Sequence, residues 1–332
     1  MNKKYSELAE LFRSEKTDEE ILDFLLNYHK NDIADMMAGM TEEERKRLYH
    51  LLGAQKVAEI FKYIEEPRKY IRELSVESAA RVISEMDSDD AVDLLEDLDP
   101  EEKEQIVRML DEDAKKDVKM LLSYDEEEIG SCMTTNYICI PEDLTIKQAM
   151  SELVKQAGEN DNIMTIYVVD EKGVFAGAID LKDLIRAREN THLEDLVLKS
   201  YPYVTDHEKI DDCMDRILDY AEDSIPVLSE DKKILGVITS EDLIEMVDNE
   251  MGEDYAKLAG LTAEEDLKEP IVQSMKKRLP WLIILLFLGM GVSSVVGLFE
   301  NVVAVLPIVI CFQSLVLDMA GNVGTQSLAV TI

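Results

Sequence analysis

The chain has 332 residues, 71 of them Asp or Glu and 35 Lys or Arg, for a formal charge of −36. That length is enough for two or three domains, and the charge excludes a nucleic-acid binder, because a polyphosphate needs cationic neutralisation. The first 270 residues hold 69 of the acids against 32 bases, so this surface disfavours anionic lipid and must stay solvated or bind cations. Cys132, Cys139, Cys213 and Cys311 show no C-x-x-C spacing, which points to free thiols in a reducing compartment. His29, His50, His192 and His207 make no zinc pattern, so any metal here is a hard ion held by oxygen. The start, MNKKYSELAELFRSEK, has no apolar signal region and is expected to stay in the cytosol.

The first layer reads as helical and repeated. Residues 75–122 divide into four twelve-residue units that open with Ser75, Asp87, Asp99 and Asp111, all good N-caps, with acids crowding each first turn. Pro100 stands at the first helical position of its unit. The eighth and twelfth places are apolar (Val82/Met86, Leu94/Leu98, Ile106/Leu110, Val118/Leu122), which gives each short helix one buried stripe. Upstream, Thr41-Glu42-Glu43-Glu44 is a capping-box start. Such helices cannot bury their faces alone and are expected to stack as a small superhelix over 1–130.

The second layer is a different repeat. Residues 166–185 align without gaps to 225–244, and eight of the twenty positions are identical, among them Gly177/Gly236 and Asp183-Leu184-Ile185/Asp242-Leu243-Ile244. Each copy reads as strand, turn, strand, helix, and each is preceded by another strand and helix. Two β-α-β-β-α units of this size resemble a tandem pair of CBS (cystathionine-β-synthase-type) domains, with expected limits 131–195 and 196–248. A connecting helix is expected over 249–278, acidic at first and basic at its end. Leu279 to Phe299 is then uncharged for 21 residues, enough to cross about 30 Å of hydrocarbon as a helix. Lys276, Lys277 and Arg278 precede it, which places the earlier domains in the cytosol by the positive-inside rule. A second apolar stretch, Val302–Leu317, runs into Asp318 and the polar AGNVGTQS, so 279–332 reads as about two spans of a larger membrane part.

This order, together with DDAVDLLEDL (89–98), SYDEEEIGSCMTT (123–135), EDYAKLAGL (253–261), KKRLPWL (276–282) and AGNVGTQS (320–327), resembles the MgtE family of magnesium channels and transporters along the whole chain. Ala320 and Val323 depart from the family's usual glycine and alanine around Asn322. The implied fold is multidomain: an all-α helical-repeat superhelix, an α/β tandem CBS pair, then an α-helical connector and transmembrane helices. The resemblance implies Mg2+ sensing by Asp89, Asp90 and Asp93 facing Glu241, Asp242 and Glu245, with Glu250, Glu253 and Asp254 in the connector. First-turn acids favoured by the helix dipole, and Asp242 as a helix cap, account for the same residues without a metal. It also implies that Asn322, Thr325 and Gln326 line a pore; helix-to-helix hydrogen bonding is the other reading of these polar groups at membrane depth. CBS pairs often hold an adenine nucleotide, for which Asp183 and Thr239 are the candidate residues.

The expected function is a homodimeric, multi-pass channel or transporter of the cell (inner or plasma) membrane that imports Mg2+. Mg2+ bound between the acidic cytosolic domains would close it. The alternative is a membrane-anchored CBS regulator that does not itself transport. No nucleophile–base pair or phosphate loop suggests an enzyme.

Overall fold

Over 75–122 the acidic first turns and fixed apolar spacing do produce short helices, within a run of helices over 17–122. In the computed structural model, which describes residues 17–64, 66–158, 160–188, 190–258, 271–299 and 308–331, these are α1 (Asp18–Leu25), α2 (Lys30–Met37), α3 (Glu42–Phe61), α4 (Pro67–Ile71), α5 (Val76–Ser84), α6 (Ser88–Glu96), α7 (Pro100–Met109) and α8 (Glu112–Leu121). Thr41 and Glu44 form the expected capping box, with Thr41 N–H donating to Glu44 at 2.8 Å and Glu44 N–H to Thr41 Oγ1 at 3.3 Å. The repeat stacks two units apart: α5 packs on α7 and α6 on α8, while α3 supports α5. Leu94, Leu98, Ile106, Leu110 and Val118 are buried between them, and Met86 and Leu122 are half-buried.

The cap assignment needs one correction. Ser75 and Asp111 cap through their side chains, accepting from Ser78 N–H at 3.2 Å and Ala114 N–H at 2.8 Å. Asp87 and Asp99 stand at N-cap positions without such a bond. Their carboxylates are drawn away by partners from elsewhere in the chain: the Lys62 ammonium and the Asn136 side-chain amide for Asp87, Arg68 and Arg72 for Asp99. A charge-assisted bond to a cation outweighs a bond to an exposed backbone N–H.

Two three-stranded sheets follow, each built as the sequence repeat requires. In the first, β1 (Ile138–Pro141) runs parallel to β2 (Thr165–Val169), which pairs antiparallel with β3 (Phe175–Asp180). In the second, β4 (Val204–Thr205), β5 (Ser224–Leu228) and β6 (Ile234–Thr239) repeat that order. The parallel crossovers are α9 (Ile146–Gln156) and α11 (Ile210–Leu218), and α10 (Leu181–Arg186) follows β3. The register agrees between copies: Ile166 faces Ile179, Ile225 faces Ile238, and both sheets slip at the same place, after Val168 and Val227.

The copies exchange edges. Thr134, just before the first sheet, bridges Val237 on β6, while Leu198, just before the second, bridges Ala178 on β3. The incoming chain passes directly over the equivalent glycines. A Cβ on Gly177 would lie 2.6 Å from Leu198 O, and one on Gly236 2.7 Å from Thr134 O. Between the sheets, buried Tyr167 and Tyr201 meet edge to face, and both hydroxyls bond Ser224: Tyr167 to its hydroxyl at 2.6 Å, Tyr201 to its carbonyl at 2.8 Å. Buried hydroxyls need such partners.

The helical repeat and the CBS pair belong to one compact unit that ends at Asp242; a second unit begins at Leu243. The chain between them, α12 (Ser240–Leu258), is continuous. The second unit also contains α13 (Ile271–Leu298) and α14 (Ile308–Thr331). Residues 259–270 and 300–307 lie outside the described residues, as do parts of the expected connector and second apolar stretch. Among the described residues one helix is long and apolar enough to cross a membrane, over Arg278–Val295 within α13, with mean hydropathy 1.8 and no burial. The basic Lys276–Arg278 segment and this apolar stretch form one helix of 28 residues, continuous through Pro280.

Candidate functional site

The segment Thr134–Asn136 works as a rivet. On one side Thr134 exchanges backbone hydrogen bonds with Val237, at 2.8 and 2.9 Å, five residues before Asp242. On the other, Thr135 N–H donates to Ser88 Oγ at 3.0 Å and Asn136 Nδ2 to Asp87 at 2.8 Å, at the start of α6. Thr135 Oγ1 also donates to Asp117 of α8 at 2.8 Å. Three consecutive residues thus bring the N-terminus of α6 to the N-terminus of α12, and with them Asp89 and Asp90 to Glu241 and Asp242.

The electrostatics follow from that meeting. Burial pushes the Asp89 carboxyl well above the usual carboxylate range, and the charges of Asp242, Asp90 and Asp87 push it further. Its Oδ1 is buried and has no hydrogen-bond partner. Asp90 is also raised by burial; Lys62 opposes this, while Asp87 and Glu241 add to it. Burial raises Asp242 to about 6, although its bonds to Thr239 pull the other way, and Asp90 and Glu241 contribute again. Carboxylates that raise one another's proton affinity are a site short of positive charge.

Asp242 also does the local work expected of it. It accepts from Thr239 N–H at 2.7 Å while its own N–H donates to Thr239 Oγ1 at 3.3 Å, a reciprocal box that starts α12. The first copy differs: α10 is capped by Asp180, through Lys182 N–H at 3.1 Å, and Asp183 is exposed one turn on. Asp93 is exposed one turn along α6, and its charge, with those of Asp89 and Asp242, bears on half-buried Cys132. Burial first, then these acids, push the Cys132 thiol up to about 11. Glu245 is exposed on α12, within the second unit. Glu250, Glu253 and Asp254 lie in the same helix, and their side chains fall outside the described residues. Asn322, Thr325 and Gln326 are exposed on α14, where Thr325 Oγ1 donates back to Gly321 O at 3.1 Å.

Two contributors escape the sequence reading. Asp87 reads only as a cap. Lys62, at the end of α3, pairs with Asp87 and reaches Asp90 at 3.3 Å. No local pattern marks it, because the partners are 25 and more residues away. Among the described residues no three His, Cys, Asp or Glu side chains form a ready-made metal shell. Opposed carboxylates around one orphaned oxygen suit an ion that keeps much of its water.

The fold is that of an acidic helical-repeat domain joined to a tandem CBS pair, with carboxylates of the two meeting at the starts of α6 and α12. Comparison with known proteins identifies its family. Residues 28–127 match the MgtE intracellular N domain, and 127–190 and 193–249 each match the CBS domain. The chain is 38% identical to the magnesium transporter MgtE of Enterococcus faecalis over its whole length and covers 74% of that protein. It is 32% identical to the MgtE of Bacillus subtilis over 63% of this chain and 47% of that one. Among solved structures, the soluble part of a magnesium transporter superposes with a TM-score of 0.71 at 29% identity, over 74% of this chain and 98% of that one. The cytosolic domain of the Mg2+ channel MgtE in complex with ATP gives 0.65 at 26% identity, over 73% and 99%. The chain belongs to the MgtE family of magnesium transporters.

Proposed function

We propose that this chain is the sensor-bearing part of a Mg2+ importer that Mg2+ itself closes. The observation that carries the reading is the meeting of Asp89 and Asp90 with Glu241 and Asp242 around a buried carboxylate oxygen left without a protein partner. Mg2+ prefers octahedral oxygen and sheds water reluctantly, so one or two carboxylates with several waters hold it. At low Mg2+ the acidic faces repel and the helical domain leaves the CBS pair. At high Mg2+ the ion binds the docked form more tightly than the open one, and that difference is what couples sensor to gate. Glu245 on α12 and Glu250, Glu253 and Asp254 in the connector continue the acidic series, α13 and α14 span a cell membrane, and Asn322, Thr325 and Gln326 line the ion path of a homodimer.

Limited proteolysis of the 332-residue chain in detergent tests this reading. An ion that binds the docked form stabilises it by mass action, so Mg2+ in the millimolar range protects the bonds around residues 123–136, and KCl at matched ionic strength protects them less. Equal protection by both salts would mean general screening and sink the proposal.

A nucleotide at the CBS pair is a second component, favoured by the ATP complex of the related channel domain. Asp183 is the candidate side chain, being exposed beside the sheet; Thr239 is already engaged by Asp242.

A further inference from the structure

Lys62 stands at the C-cap of α3 and is far from the acids of α6 in sequence, yet its ammonium pairs with Asp87 and lies 3.3 Å from Asp90. The side chain is 30% exposed, so its charge is only partly hydrated. A lysine at a helix C-terminus is favoured by the helix dipole, and that role needs only the backbone of α3. It leaves unexplained why the side chain is committed to α6, beside the carboxylate whose Oδ1 has no partner.

We propose that Lys62 is a tethered cation of the acidic cluster, filling by a fixed side chain part of the positive charge that docking would otherwise draw from solution. The inference rests on the reading that divalent ions bridge α6 and α12, and it concerns how many of them closure takes up. Lys62 pairs with Asp87 and lies 3.3 Å from Asp90, so it is the built-in counter-ion of the acids at the start of α6. Without it, the ion-free docked form carries one more uncompensated negative charge, and closure must recruit that charge as Mg2+. Lys62 thereby sets the steepness of the Mg2+ response and the Mg2+ level at which it begins. It lies wholly on the helical domain, so it tunes the sensor without itself bridging the two partners.

The experiment is Mg2+-dependent protease protection of the 332-residue chain in detergent at constant ionic strength, plotted as the closed-to-open ratio against free Mg2+. In K62Q the logarithmic slope should rise by about half an ion to one ion, since Mg2+ carries two charges to lysine's one. Protection should begin at higher Mg2+ and reach the parent level at saturation. K62R should follow the parent, and K62Q/D87N, which restores the charge balance, should return to the parent slope. Should K62Q lose its fold, D87N alone gives the mirror reading, a shallower slope than the parent. An unchanged slope in K62Q or in D87N, or a double variant that stays steep, overturns the tethered-cation role while leaving Mg2+ bridging intact. A parent chain that shows no Mg2+-specific protection overturns the bridging on which it stands.

Discussion

At the scale of single residues, the folded first unit carries its own sensitivity to charge. Asp89 and Asp242 bind protons more tightly where they are than a solvated aspartate does, because burial and neighbouring carboxylates penalise the charged form. The folded state therefore gains on acidification: its proton affinity exceeds that of the unfolded chain, so the penalty is full above the raised value and shrinks as pH falls from there to the ordinary one. For Asp242 the window runs from about 6 down toward the ordinary 3.8, an interval worth on the order of 2–3 kcal/mol. With Mg2+ chelated, thermal unfolding should show the first unit more stable at pH 5.5 than at pH 7.5. D89N removes a buried charge while keeping its shape, and should raise the metal-free midpoint at pH 7.5 by roughly 2–4 °C per kcal/mol relieved. The same variant should flatten the pH response and weaken the Mg2+ response. A D89N protein with the parent's pH profile would place the raised proton affinity elsewhere.

At the scale of elements, what the sequence makes legible is what short-range periodicity controls. The stripes Leu94/Leu98 and Ile106/Leu110, the Thr41 box and the doubled strand–helix order all depend on neighbours a turn or a hairpin away, and they are found where expected. The misreadings are long-range. Asp87 and Asp99 have ideal N-cap chemistry, but Lys62, Arg68 and Arg72 arrive from helices 25 to 31 residues earlier and take their carboxylates. The edge exchange between the CBS copies is similar: Gly177 and Gly236 align in the sequence repeat, yet alignment alone does not say that Leu198 and Thr134 cross over them. Gly177 is also held at φ +149°, where a side chain is strained whatever the space around it. Gly177→Ala should therefore cost more than Gly236→Ala, about 1–3 kcal/mol from the backbone alone, with backbone contact to Leu198 O added. Chemical denaturation of the two variants checks the order; equal losses would mean that the backbone at 177 relaxes out of its positive φ at no cost.

At the scale of the whole molecule, the sequence divides its charge as the proposed arrangement requires. All but two of the acids lie in the first 270 residues, the bases Lys276, Lys277 and Arg278 stand at one point, and no charge follows until Glu300. In the structure that transition falls inside α13, whose apolar side chains, Leu282, Leu286, Phe287 and Leu288 among them, are exposed over a full span. A soluble protein rarely leaves so much contiguous apolar surface uncovered, and an uncharged helix of this length is satisfied by hydrocarbon, which asks only that its backbone groups be paired internally. If α13 crosses a bilayer, a charge at its centre is costly and the same charge at its basic end is not. Leu288 lies near the middle of the uncharged run and Leu279 at its start. Leu288→Arg should add about 2.5–3.5 kcal/mol to insertion and shift the chain from the carbonate-resistant membrane fraction to the soluble or aggregated one. Leu279→Arg, one residue past Arg278, should leave it in the membrane. Fractionation of cells expressing the two variants decides the matter: if both remain equally membrane-bound, α13 is not what holds this chain there.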